Sequence, residues 1–118
     1  MIERISKTEI IETALRDLNE ARHSVLGTRL LEDGKDSVEY EQKIIELQGQ
    51  DIQITRKVFS RKGMKNTIDV RLHAFLRMLL IDGKVLFFGI PLGEDYQLHR
   101  TTDLGLVEAY RRYFEALP

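Results

Sequence analysis

The sequence predicts an α/β domain, a mixed β-sheet flanked by helices, and three features carry that expectation. Apolar residues recur at three- and four-residue spacing in separated stretches near the start, in the middle and at the end of the chain, the mark of amphipathic helices. Strand-like runs lie between them, some alternating and some continuously apolar. An Asp82-Gly83 pair joins two of these runs and predicts a tight hairpin, because Asp-Gly readily adopts the positive φ that a type I′ turn needs at both central positions.

Taken in order, Ser6 and Glu9 have capping-box spacing, and Ile10, Ile11, Ala14, Leu15, Leu18 and Ala21 form one stripe, predicting a helix over about residues 7–22. Ser24 to Leu31 carries Val25, Leu26 and Leu30 and runs into the turn-rich Glu32-Asp33-Gly34-Lys35, which reads as a buried strand. Asp36 and Glu39 repeat the capping spacing, Tyr40, Ile44 and Leu47 continue it as a second helix, and Gly49 supplies a stop. Residues 52–59 alternate as a strand with at least one partly solvated face. A basic loop follows from Ser60 to Thr67, then a strand-like stretch from Ile68 to Ile81. Val85, Leu86, Phe87 and Phe88 are apolar without alternation, so both faces of that strand are expected to be covered. Pro91 to Thr102 reads as a polar loop, and Val107, Tyr110, Phe114 and Leu117 mark a closing helix from about Asp103.

Composition narrows the function. At 118 residues, 42% hydrophobic and 31% charged, the chain has the size and make-up of one globular domain spanning residues 1–118. With 18 basic and 19 acidic residues its net charge is -1, so no global field draws it to nucleic acid or an anionic membrane, and such binding needs a local patch. The absence of cysteine excludes a disulfide framework, a thiolate zinc site and a cysteine nucleophile, and points to a cytoplasmic location. Met1 to Lys7 contains no continuous apolar stretch, so neither a signal peptide nor a membrane partner is expected. His23, His73 and His99 lack metal-ligand spacing, and no metal or cofactor is expected. His23, just beyond the first helix, reads as a helix-end cation.

Residues 75–90, Phe-Leu-Arg-Met-Leu-Leu-Ile-Asp-Gly-Lys-Val-Leu-Phe-Phe-Gly-Ile, resemble the signature of the phospholipase D superfamily. In that family a histidine, a spacer, a lysine, four mostly apolar residues and an aspartate precede a second apolar strand ending in glycine-serine. Here Phe75 falls on the histidine, Arg77 on the lysine, Asp82 on the aspartate, and Gly89 and Ile90 on the glycine-serine. The preceding order of elements is also similar to that family's half-domain. The resemblance implies two half-domains meeting across a cleft, hence a homodimer, and a histidine nucleophile that forms a phosphohistidine. Phe75 has no lone pair to attack with, and His73, two residues away on an extended chain, lies about 6–7 Å off. The motif is degenerate, in the manner of the phospholipase D-like effector domains of archaeal transcription regulators. That likeness implies a non-catalytic module for dimerisation and ligand sensing, in or beside a regulator whose DNA-binding domain or subunit is a partner.

Several residues are candidates on these grounds. Arg71, His73 and Arg77 share one face of an extended strand, and with Asp82 and His99 they form the expected ligand-binding set, for a small anion that Arg77 would hold through its planar fork. Asp82 is first a turn residue, and His99 sits in the expected loop. The enzymatic alternative is a phosphodiesterase or nuclease with an unorthodox site built from His73, Arg77, Asp82 and His99. A third reading rests on Arg56, Lys57, Arg61, Lys62, Lys65 and Arg71, six positive charges against the single negative Asp69, as a nucleic-acid-binding segment over residues 56–71.

Overall fold

Asp82 and Gly83 take φ of 56° and 64°, the left-handed pair expected of the type I′ turn, and Lys84 N donates to the Ile81 carbonyl at 3.0 Å; the strands pair Ile81 with Val85, so three residues rather than two separate them. The computed structural model describes residues 1–31, 37–60, 77–92 and 95–117. In chain order these form β1 (Ile2–Ile5), α1 (Ile10–Leu18), β2 (Ser24–Leu30), α2 (Val38–Gln48), β3 (Gln53–Phe59), β4 (Met78–Ile81), β5 (Val85–Leu92), β6 (Asp95–Thr101) and α3 (Leu104–Ala116). The strands make one six-stranded sheet in the order β1-β6-β5-β4-β2-β3. Among the described strands only β2 and β3 run parallel, joined by α2 as a crossover, and the other pairs are antiparallel. The mixed sheet expected from the sequence is therefore present.

Helices cover both sheet faces, and alternation along the strands sorts the core. Val25, Leu79, Ile81 and Phe87 pack beneath α1 and α2 with Ala14, Leu18, Ile44 and Leu47. Met78, Leu80, Leu86 and Phe88 point the other way, against Val107, Tyr110 and Phe114 of α3. This two-sided burial explains the unbroken apolar run of β5, whose Leu86, Phe87 and Phe88 are all buried as expected. Among the described residues no helix is long and apolar enough to cross a membrane.

Four expectations need correction. The first helix is shorter than its stripe: it starts at Ile10 without a side-chain cap, Ser6 Oγ bonding Thr8 Oγ1 instead, and ends at Leu18, where the N–H groups of Glu20 and Ala21 turn back to the carbonyls of Asp17 and Leu18. In the second helix the cap is Ser37, whose Oγ accepts from Tyr40 N at 3.1 Å. Residues 2–5 form a strand that the sequence reading left without an element, and the expected polar loop of 91–102 holds the end of β5 and all of β6. Tertiary partners make β6 a strand despite its polarity: Arg100 grips Asp17 of α1 through two hydrogen bonds (2.7 and 3.3 Å) and Glu3 of β1 (3.3 Å), and Thr101 Oγ1 donates to the Met1 carbonyl (2.9 Å). Of the strand expected over 68–81, Met78–Ile81 is β4; residues 61–76 lie outside the described residues.

Asp82 does more than turn the hairpin. Its carboxylate accepts from the backbone N–H groups of Arg22 (2.9 and 3.2 Å), His23 (2.8 Å) and Ser24 (3.0 Å), pinning the α1–β2 connection to the tip of β4–β5. His23 thus serves at the start of β2 through its backbone, beyond the end of α1. Partial burial opposes the charge, but the donors of Ser24, His23 and Arg22 together with the His23 side chain outweigh it and hold the carboxyl below its ordinary value. A depressed carboxyl stabilises the fold fully above its unfolded pKa, and that contribution is lost as pH falls through the folded value. Asp82→Asn retains a residue suited to left-handed φ and is expected to cost about 1 kcal/mol at neutral pH in urea melts. The gap from the native protein should close as the pH drops below about 4; a gap unchanged at low pH would mean that the carboxylate charge plays no part.

Candidate functional site

The parallel pair β2 and β3 directs its carboxyl ends toward one end of the sheet, the position where open α/β sheets form their binding crevices. At that end the β2–β4 ladder stops at Gly27–Leu79, and Thr28 Oγ1 replaces the next rung by accepting from Met78 N (2.9 Å) and facing its carbonyl (3.4 Å). Arg77 stands just before β4 at this point.

Arg77 is 9% exposed and is held on three sides. Its carbonyl accepts from Gly89 N at 2.9 Å, extending the β4–β5 hairpin by one rung. Its stem lies on Gly89, where an added Cβ would stand 3.0 Å from Arg77 Cβ, 3.1 Å from Cδ and 3.4 Å from the Tyr96 ring. Its guanidinium carbon sits 4.0 Å from the Tyr96 ring centroid, and Lys7 Nζ is 4.7 Å from the same centroid. Arg77 aligns with Leu79 and Ile81, so it faces the α1/α2 side. Tyr96 lies on that side with Arg100, and Arg29 does too by alternation from Val25 and Gly27, its Nε buried. Arg77 and Lys7 therefore place two cations at one tyrosine, and Arg29 lies on the same side of the sheet.

The other candidates are distributed elsewhere. Asp82 lies at the opposite end of β4, five residues and about 16 Å from Arg77, with its oxygens engaged by the 22–24 amides. His99 is on β6 but on the α3 side: it stacks on Phe88 (5.3 Å between centroids, 21° between planes), and Phe88 contacts Tyr110 at 5.2 Å. The Gln97 amide, oriented to suit both neighbours, accepts from Arg4 (2.9 and 3.2 Å) and donates to His99 Nε2 at 3.3 Å. The sheet itself thus separates His99 from Arg77. Arg56 forms two bonds with Glu41 of α2 (2.7 and 3.1 Å). Lys57 donates to the terminal carbonyls of α3 at Phe114 (2.5 Å) and Leu117 (2.8 Å), the negative end of that helix. Phe75, Arg71, His73, Arg61, Lys62 and Lys65 lie outside the described residues.

Sequence reading missed Tyr96, Arg29 and Lys7. Tyr96 was placed in a loop, and only the register Pro91–Tyr96 on the paired strands brings it over Gly89. The one available signal was the glycine at 89, where a side chain would collide with Arg77. Gly89→Ala is accordingly expected to displace Arg77 or Tyr96 and to destabilise the protein by about 1–3 kcal/mol in denaturant melts, with a change in Tyr96 near-ultraviolet dichroism. An unchanged spectrum and stability would show that the contact is slack.

No family model matches the sequence, and no curated protein matches it. Among solved structures, NucT from Helicobacter pylori superposes with a TM-score of 0.68 at 12% identity, over 98% of this chain and 92% of NucT. TrmBL2, an archaeal chromatin protein whose structure shows a novel mode of DNA binding, superposes with a TM-score of 0.63 at 15% identity, over 98% of this chain and 50% of TrmBL2. The chain therefore spans about half the length of TrmBL2. At these identities the likeness is one of fold, and the fold is that of a phospholipase D-like half-domain, a mixed sheet between helices.

Proposed function

We propose that this domain is a non-catalytic phospholipase D-like module that pairs with a second copy and senses a small anion, within or beside a DNA-binding transcription regulator. The observation that carries this reading is the setting of Arg77. The motif's lysine position keeps a cation, seated on Gly89 and stacked on Tyr96, with Lys7 at the same ring and Arg29 on the same face. A guanidinium resting on an aromatic face directs its donors into its own plane, the geometry suited to a carboxylate or phosphate. The position of the motif histidine is Phe75, which cannot form a covalent intermediate. Arg71 and His73 are further contacts for the anion in this reading. Its regulatory side is supported by the likeness in fold to TrmBL2, half of which this chain matches.

The hydrolytic alternative draws no support from the geometry, since Arg77, Asp82 and His99 occupy one face, a turn and the other face respectively. A nucleic-acid surface over residues 56–71 is weakened at its start, where Arg56 and Lys57 serve Glu41 and the end of α3.

Thermal unfolding with added phosphate and with small carboxylates tests the proposal. A bound anion at about 100 times its Kd stabilises by about 2.7 kcal/mol and raises Tm. Arg77→Gln should abolish the rise while leaving the far-ultraviolet spectrum intact. Absence of any anion-dependent shift in the native protein would sink the sensing reading, and turnover of a generic phosphodiester would replace it with the enzymatic one.

A further inference from the structure

Apolar packing holds β1 to the sheet only lightly. Of Ile2–Ile5 only Ile5 is buried, so the strand depends on its ladder to β6 and on side-chain ties. Two of those ties contain no imidazole: Arg100 to Glu3 (3.3 Å) and Thr101 Oγ1 to the Met1 carbonyl (2.9 Å). The third runs from Arg4 through Gln97 to His99, on the α3 side of the sheet, where Arg4 and His99 are register partners.

The direction of each bond in this third tie is dictated by what its members can donate. Arg4 has donors alone, so its Nε and Nη2 (2.9 and 3.2 Å) fix the Gln97 oxygen on their side. The Gln97 nitrogen then faces His99 Nε2 at 3.3 Å and donates to it. That bond requires an unprotonated Nε2 and leaves the single imidazole proton on Nδ1, which is buried and meets no acceptor. A proton added at Nε2 would set donor against donor. Turning the amide would give His99 the oxygen but present the Gln97 nitrogen to the donors of Arg4, so one amide cannot serve both sides.

We infer that Arg4, Gln97 and His99 form a proton-sensitive latch on β1, closed while His99 Nε2 accepts and opened when that nitrogen is protonated. The groups around the ring favour this response. From β1 the imidazole meets the Arg4 guanidinium, which becomes a like-charged neighbour once the ring is charged. From β5 it meets Phe88, stacked at 5.3 Å, and beyond Phe88 stands Tyr110 of α3, a phenol that burial and neighbouring Tyr113 push up, so it stays neutral. The charged groups Glu108, Arg111, Arg112 and Glu115 of α3 bond one another. The open form takes up a proton that the closed form excludes, so closure is favoured as pH rises and lost as it falls. Imidazole changes charge between about pH 5 and 8, which sets the window.

Hydrogen exchange of the peptide covering Ile2–Ile5, read by mass spectrometry on the full chain and corrected for intrinsic rates, is the test. Protection of β1 should fall about tenfold or more, the factor that about 1.4 kcal/mol gives, between about pH 8 and about pH 5. Over the same range β4 and β5 should keep theirs. His99→Phe can still stack on Phe88 but takes up no proton, and should flatten the profile. Gln97→Glu offers an acceptor oxygen to each side and should keep β1 protected at the lower pH, with circular dichroism confirming that both variants are folded. A flat profile in the native protein would overturn the latch. So would a fall that persists in both variants, or one shared equally by β4 and β5.

Discussion

The β4–β5 hairpin is the constraint on which the rest of the domain depends. Its turn fixes register, since a slip of one residue would exchange the side chains facing α1 and α2 with those facing α3. The Asp82 carboxylate then ties the start of β2 to that turn, and the Asp82 N–H donates to the Ser24 carbonyl at 2.8 Å. With β2 placed against β4, the parallel crossover through α2 sets β3, and β6 and β1 add to the far side of β5. An apolar hairpin covered on both faces is thus the axis about which two cores are built.

The same hairpin positions the candidate site. Arg77 and Gly89 face each other at its open end, so the cation's place is set by strand pairing and its orientation by Tyr96 on the next strand. The opposite end is devoted to structure, where Asp82 is consumed by backbone donors. Two residues of one short motif therefore have different uses: one end of β4 is locked for stability, and the other holds a cation beside the carboxyl ends of β2 and β3. Asp82 and Gly89 are thus both explained by needs of the fold, the one by the turn and the 22–24 amides, the other by the space that Arg77 and Tyr96 take.

The sheet also decides which charges are available to a partner. Arg100, Arg56 and Lys57 are spent on Asp17, Glu41 and the end of α3, so a count of positive residues along the chain overstates the surface open to an anion. Around Tyr96, residues distant in sequence, Lys7, Arg77 and Tyr96, form one cluster.

Sequence alone determined the parts of this protein governed by local rules: the helical stripes of α1, α2 and α3, the period-two strand at β3, the Asp-Gly turn, and the two-sided burial of β5. These follow from periodicity and turn chemistry, which need no knowledge of neighbours. The tertiary structure decided what depends on partners. β1 and β6 are polar enough to read as irregular chain and become strands because Arg100 finds Asp17 and Glu3 and Thr101 finds the Met1 carbonyl. Arg77 and His99, expected in one ligand-binding set, sit on different strands, and pleating gives their side chains to opposite sides of one sheet.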